Sequence, residues 1–206
     1  MKIKGNIYII AAASGTGKTS LVKVLTESLD NIATSISYTT RLKRQGEQDQ
    51  ESYFYISETE FKQMLTNNEF LEYAKVFGNY YGTSRSWVER QLENGIDVIL
   101  EIDWQGAQQI KQHIPQSISI FILPPSKEEL RQRLETRNQD DKKTISKRLA
   151  AAHKEIANCL NFDYIVINDK FDVALVDLRS IIRSQRLRKE IQVIKYNNLL
   201  AELTKN

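Results

Sequence analysis

The chain has 206 residues, 41% hydrophobic and 27% charged, enough to bury one large core and too rich in apolar residues for a disordered tail. Its 29 basic and 26 acidic residues leave a net charge of +3, a near balance that argues against an extended nucleic-acid surface. A lone cysteine, Cys159, excludes an internal disulfide, and two distant histidines, His113 and His153, exclude a zinc site with it, so any metal is expected on oxygen ligands.

The opening MKIKGN runs into a short apolar segment with no signal-peptide h-region, and no apolar run approaches the ~20 residues of a membrane span. A cytoplasmic protein with no membrane or nucleic-acid partner is expected. Ile7–Ala11 is predicted as a buried strand and Thr19–Leu29 as a helix with Leu21, Val22 and Leu25 on one face. Further strands are predicted at Val98–Ile102, Ser119–Leu123 and Tyr164–Ile167. Helical patterns separate them at Gln105–Gln112, Lys127–Arg137, Asp141–Leu160 and Asp172–Gln185. Strands alternating with helices predict an α/β fold with a parallel sheet covered on both faces, and a ligand at the carboxyl ends of its strands.

Two segments break the alternation. Residues 33–95 hold Tyr- and Thr-rich extended pieces (TSISYTT, ESYFYIS) and short helices near Glu58–Thr66 and Ser84–Glu93. They read as an inserted subdomain. Residues 126–151 follow Pro124-Pro125, are dense in charge and read as a projecting helical hairpin. The core is then 1–32, 96–125 and 152–190, with a C-terminal helix over 191–206, all within one domain.

Between the first strand and helix the chain reads Ala12-Ala-Ser-Gly-Thr-Gly-Lys-Thr19. Strand, small-residue loop, Gly-Lys-Thr and helix form the pattern of a P-loop. Ala12, Ala13, Ser14, Gly15, Thr16 and Gly17 would present backbone N–H groups to phosphate at the positive end of a helix. Lys18 would neutralise the β and γ phosphates of a bound nucleotide, and the Thr19 hydroxyl would coordinate Mg²⁺. Ala12 stands where the pattern asks for glycine. A flexible turn with a solvent-capping lysine is the bland alternative.

The inserted segment carries SYTTRLKR (Ser37 to Arg44), Tyr53 in ESYFYIS, and FLEYAKVFGNYYGTSR with Glu72, Tyr81 and Thr83; EIDWQG follows at 101–106. Taken singly, the basic cluster could be a solvated loop, the tyrosines strand packing, and Glu72 a surface residue. In this order behind a P-loop, the motifs closely resemble guanylate kinase, from the first strand to about residue 190. Bacterial members often share the missing first P-loop glycine. The resemblance implies ATP on the P-loop, GMP in the inserted subdomain, and the Mg²⁺-dependent reaction ATP + GMP to ADP + GDP in purine nucleotide metabolism.

By the same resemblance, Glu72 reads the guanine N1 and N2 donors with Ser37 beside it, and Thr83 donates to O6. Adenine would leave that carboxylate unpaired. Arg41 and Arg44 would grip the GMP phosphate with Tyr53 and Tyr81. Asp103 would orient GMP or hold Mg²⁺ through water, ahead of Glu101, which replaces the family's aspartate. Arg133, Arg137 and Arg148 would act from the helical hairpin as a lid, with Asn138 where glycine is usual, and Asn168 would flank the adenine. Five arginines facing one cleft are expected to repel one another and favour an open form without ligand. Trp104, Cys159 and the histidines read as structural or exposed, and RSQRLRKE as a solvated helix face. The rival reading is a guanylate-kinase-like binding module without catalysis; such modules typically lack the P-loop lysine or its glycines. A kinase for another monophosphate is a third. The sequence does not fix oligomeric state, and a homo-oligomer stays compatible with it.

Overall fold

In the computed structural model, residues 3–44, 46–76, 78–136 and 142–205 are described, the side chains of residues 136 and 142–148 excepted. The chain opens with strand β1 (Ile7–Ala12), helix α1 (Lys18–Glu27) and strand β2 (Ile32–Thr34). The inserted segment follows as β3 (Tyr38–Thr39), β4 (Phe54–Tyr55), α2 (Glu58–Thr66), β5 (Phe70–Val76), β6 (Asn79–Ser84) and α3 (Arg85–Glu93). The chain then returns through β7 (Asp97–Leu100), α4 (Trp104–His113) and β8 (Ile118–Leu123) to the helical pair α5 (Lys127–Thr136) and α6 (Lys142–Ile156). A 3-10 turn (Cys159–Asn161), β9 (Tyr164–Ile167), α7 (Phe171–Arg186), α8 (Lys189–Lys195) and α9 (Asn197–Leu203) complete it. None of the described helices is long and apolar enough to cross a membrane.

The larger sheet has the order β2-β7-β1-β8-β9, every pair parallel. Alternation along β1 explains why its run is apolar throughout. Tyr8 and Ile10 point into a core with Leu21, Val22 and Leu25 of α1 and Leu175, Leu178 and Ile182 of α7. Ile7 and Ile9 point into the opposite core with Val88 of α3 and Ala107 and Ile110 of α4. A strand sandwiched between helical layers has no solvated face to carry polar residues. Strand β1 lies between β7 and β8, and the crevice opens at the carboxyl ends of β1 and β7.

The smaller sheet has the order β4-β3-β6-β5 and lies wholly in the insertion. Its β5–β6 hairpin was not foreseen, because FLEYAKV and NYYGTS each mix polar and apolar residues without clean alternation. Phe61 stacks on Phe70 (ring centroids 4.4 Å) and on Tyr80 (5.2 Å), which seats α2 on this sheet. Helix α2 begins where its capping box sets it: Ser57 accepts from the Glu60 N–H, and Glu60 accepts from Ser57.

Three expectations shift. Ala33 and Thr34, read as the start of the insertion, pair with Val98 and Ile99 in the parallel sheet. The helix expected to run to Leu160 ends at Ile156, and Cys159 is buried against Phe121 instead. The single C-terminal helix is two, interrupted at Tyr196.

Candidate active site

A cavity of about 330 Å³ opens in that crevice, lined on one wall by residues 12–20 and on the other by Ser37, Tyr53, Glu72 and Tyr81, with Glu101 and Asp103 at its floor. The loop between β1 and α1 takes its shape from Gly15 (φ 91°) and Gly17 (φ 89°), left-handed conformations that a side chain would strain. Gly17 is the N-cap of α1 and makes no side-chain cap, so the first amides of the helix stay open to a ligand. Lys18 begins the helix half-buried. Burial pulls its ammonium below the usual lysine range, against Glu101, Glu155 and Asp103, which push it up. Lys18 lines the cavity, and an anion arriving there would favour its charged form.

The loop is braced from behind. Asn168, buried after β9, donates from Nδ2 to the Thr16 carbonyl (2.6 Å), and a Cβ on Gly17 would meet that same nitrogen at 2.7 Å. Arg133 on α5 donates to the carbonyls of Asn168 (3.1 Å) and Thr16 (3.4 Å) and pairs with Glu129 (2.7 Å). Neither Asn168 nor Arg133 lines the cavity; in this state both hold the loop rather than face its content. Arg137 and the side chain of Arg148 lie outside the described residues, as does Asn138.

On the far wall, Glu72 of β5 is 4% exposed. Thr83 of β6, fully buried, donates its hydroxyl to Glu72 Oε1 (2.6 Å). That direction differs from the expected one: the single hydroxyl proton of Thr83 is given to the carboxylate, and Thr83 stands behind Glu72 rather than in the cavity. Burial pushes the Glu72 carboxyl up to about 7; the Thr83 hydrogen bonds oppose this and Asp103 adds to it. The group therefore sits at the edge of ionisation near neutral pH, and a ligand that donates to it would favour the charged form.

Arg41 is held in a two-pronged pair with Glu47 (2.7 and 3.0 Å), which also accepts from the Tyr55 hydroxyl and the Arg44 backbone N–H. Its guanidinium lies over Tyr53, 5.3 Å from the ring centroid, and bonds the Tyr81 hydroxyl, so it adjoins the cavity from outside. The Arg44 side chain is exposed. Asp103 caps α4, accepting from the backbone of Gln105 and Gly106 and from the Gln105 side chain (3.0–3.1 Å). With both oxygens already taking N–H donors, it suits a water-mediated contact better than direct ligation of a metal.

Sequence reasoning missed Glu47 and Glu155. Glu155, on α6, lines the cavity and accepts from the Ser14 backbone N–H. Burial raises its carboxyl above the ordinary range, with the Ser14 N–H and Lys18 pulling the other way. Neither glutamate carries a local signal: Glu47 sits in a stretch dense in charge, and Glu155 follows Lys154 on a helix with no motif around it.

The sequence profile of the guanylate kinase family matches residues 4–185. A guanylate kinase from Vibrio cholerae serotype O1 is 52% identical over 202 residues, covering 97% of this chain and 98% of that protein. One from Methylobacillus flagellatus is 52% identical over 201 residues, covering 98% and 100%. The crystal structure of guanylate kinase from Anaplasma phagocytophilum superposes with a TM-score of 0.77 at 33% identity, over 91% of this chain and 89% of that one. A phosphate-binding loop facing a buried carboxylate, with near full-length similarity on both sides of it, settles the relationship: the chain belongs to the guanylate kinase family.

Proposed function

We propose that the protein transfers the γ-phosphoryl group of ATP to GMP, giving ADP and GDP. One observation carries the reading: the P-loop wall and the Glu72 wall face each other across one cavity, so donor phosphate and acceptor nucleotide can meet there. Guanine offers two N–H donors side by side at N1 and N2, which a carboxylate accepts together; adenine offers N1 as an acceptor and would leave Glu72 buried and unpaired. Ser37 adds an acceptor beside it. The GMP phosphate would lie against Tyr53 and Tyr81, with Arg41 and Arg44 supplying charge-assisted bonds.

The roles on the ATP side follow from charge. The open amides at the start of α1 and Lys18 take the phosphates, and Arg133, Arg137 and Arg148 from the lid are assigned the charge that spreads over the transferring group. No covalent intermediate is required; holding the acceptor oxygen in line and keeping water out supply the acceleration. The donor set fits Mg²⁺: the Thr19 hydroxyl, exposed on the cavity wall, and the Asp103 carboxylate as an outer partner leave a small hard cation free to keep water and phosphate oxygens. The ion would neutralise phosphate charge when bound. These reactants belong to the cytosol.

A binding module that keeps the fold without catalysis is not favoured, since Gly15, Gly17, Lys18 and Thr19 are all present and arranged as a cradle. A coupled assay of ADP release with GMP, AMP, UMP, CMP and dTMP as acceptors tests the proposal. GMP is expected to be used well above the rest. No GMP-dependent ADP release would overturn the reaction, and equal use of all five would overturn the base assignment.

A further inference from the structure

Gly106 sits in the first turn of α4, buried, at a helical position where glycine is less favourable than alanine. Its φ is not left-handed, so no turn calls for it. What explains it is across the cavity wall. A Cβ built on Gly106 would collide with Glu72 Oε2 and come within 3.2 Å of Glu72 Cδ. Glu72 is gripped from its other oxygen by Thr83 Oγ1 at 2.6 Å. The carboxylate is thus clamped between a hydroxyl on β6 and a bare backbone on α4. The same Gly106 N–H donates to Asp103 (3.0 Å), which fixes the helix terminus against which the carboxylate rests.

We propose that Gly106 is a specificity-determining position, its missing side chain being the seat that sets the Glu72 carboxylate in register with the guanine N1 and N2 donors. The inference rests on the reading of GMP as acceptor. Any Cβ at 106 moves Oε2 and leaves the Thr83 bond to pivot about Oε1, so the two acceptor oxygens no longer match two parallel N–H groups. The one contact under 3.0 Å is with the end of a side chain, while Ile102 Cβ at 3.3 Å needs to give by only a few tenths of an ångström. The loss therefore falls on base recognition, and the P-loop wall is untouched.

Steady-state kinetics on the full chain test this with GMP and IMP, which lacks the 2-amino group. Gly106→Ala is expected to raise KM for GMP about tenfold or more, while KM for ATP stays within about twofold and the preference for GMP over IMP narrows. Glu72→Asp, which draws the carboxylate back by one methylene, is expected to cost much less in the Gly106→Ala background than alone. An unchanged GMP-to-IMP ratio, or a Glu72→Asp penalty equal in both backgrounds, overturns the proposal. Should Gly106→Ala fold poorly, melting temperatures decide: its loss of Tm is expected to vanish in a Glu72→Ala background, and the same loss in both backgrounds would refute the seat. Failure of the wild type on GMP would remove the reaction instead, and the melting cycle would still report on the contact.

Discussion

Replacing Glu72 by glutamine is expected to change how stability depends on pH. In the folded, ligand-free protein burial pushes the carboxyl up to about 7 from an ordinary 4.5, with Asp103 adding to this and the Thr83 hydrogen bonds opposing it. A carboxyl whose folded pKa is raised binds its proton more tightly in the native state than in the unfolded chain. Its contribution is fully present below about pH 4.5 and is lost as pH rises through 7. At ~1.4 kcal/mol per pH unit over that window, the loss amounts to about 3 kcal/mol. Glu72→Gln has no proton to lose. Urea unfolding of both proteins at intervals from pH 4.5 to 8 should show the variant gaining on the wild type by about that amount as pH rises. Other titrating groups cancel in the difference between the two curves. Parallel curves, their separation constant within about 1 kcal/mol, would refute the reasoning and mean that Glu72 is ionised or solvated in the empty site. The same variant should lose GMP use while leaving ATP affinity in place, so the group that costs stability is the one that reads the base.

Because a protonated Glu72 accepts from one guanine donor fewer, kcat/KM for GMP should fall as pH drops below about 7, approaching tenfold per unit, and a flat profile down to pH 5.5 would refute that. Lys18→Ala should lower kcat by ~10²–10³ while calorimetry finds GMP binding intact; near-normal turnover would remove the P-loop assignment. Arg186→Ala should cost about 2–3 kcal/mol in chemical unfolding, since Arg186 Nε bonds Asp97 (2.8 Å) and leaves a buried carboxylate behind; a loss under 0.5 kcal/mol would show that Asn6 alone satisfies it. A bisubstrate analogue should reduce the radius of gyration in small-angle scattering, and an unchanged value at saturation would remove closure of the two walls.

The parts of the fold legible in the sequence are those where local chemistry leaves one solution. β1, the glycines at 15 and 17 and the start of α1 were readable because a phosphate loop needs its small residues at fixed spacing between a strand and a helix. Helix α2 was expected near Glu58–Thr66 and spans those residues, its start fixed by a capping box. Three-residue β2 was not, since Ile32–Thr34 becomes a strand only because Asp97–Ile99 lies beside it. The run RSQRLRKE, read as a solvated face, holds Arg186, whose partner Asp97 is 89 positions away in the chain. Pairings at that separation leave no periodicity to read. The direction of the Thr83 hydroxyl was equally hidden, because a threonine donates to whichever acceptor packing brings near it.

Of the five arginines expected to repel one another in the empty cleft, Arg41 and Arg133 are instead matched with carboxylates of the chain itself, Arg44 is exposed, and Arg137 and the side chain of Arg148 lie outside the described residues. Arg41 holds Glu47 in a fork, Arg133 holds Glu129, and Lys18 stands in the field of Glu101, Glu155 and Asp103. For Arg41 and Arg133, this pairing offsets repulsion within the ligand-free protein. It also changes what phosphate binding means energetically: a phosphate arriving at Arg41 competes with a carboxylate already making two bonds at 2.7 and 3.0 Å. The gain is the difference between two charge-assisted forks, far smaller than either alone. A site built this way binds its anions moderately and releases them readily, which suits an enzyme that must let two nucleoside diphosphates go after each transfer. On the proposed reading, guanine meets a different environment, a carboxylate whose ionisation is opposed by its own burial and which has no cation against it among the described residues. Discrimination thus falls on the base, where only a matched pair of donors relieves that cost, and the phosphates supply position.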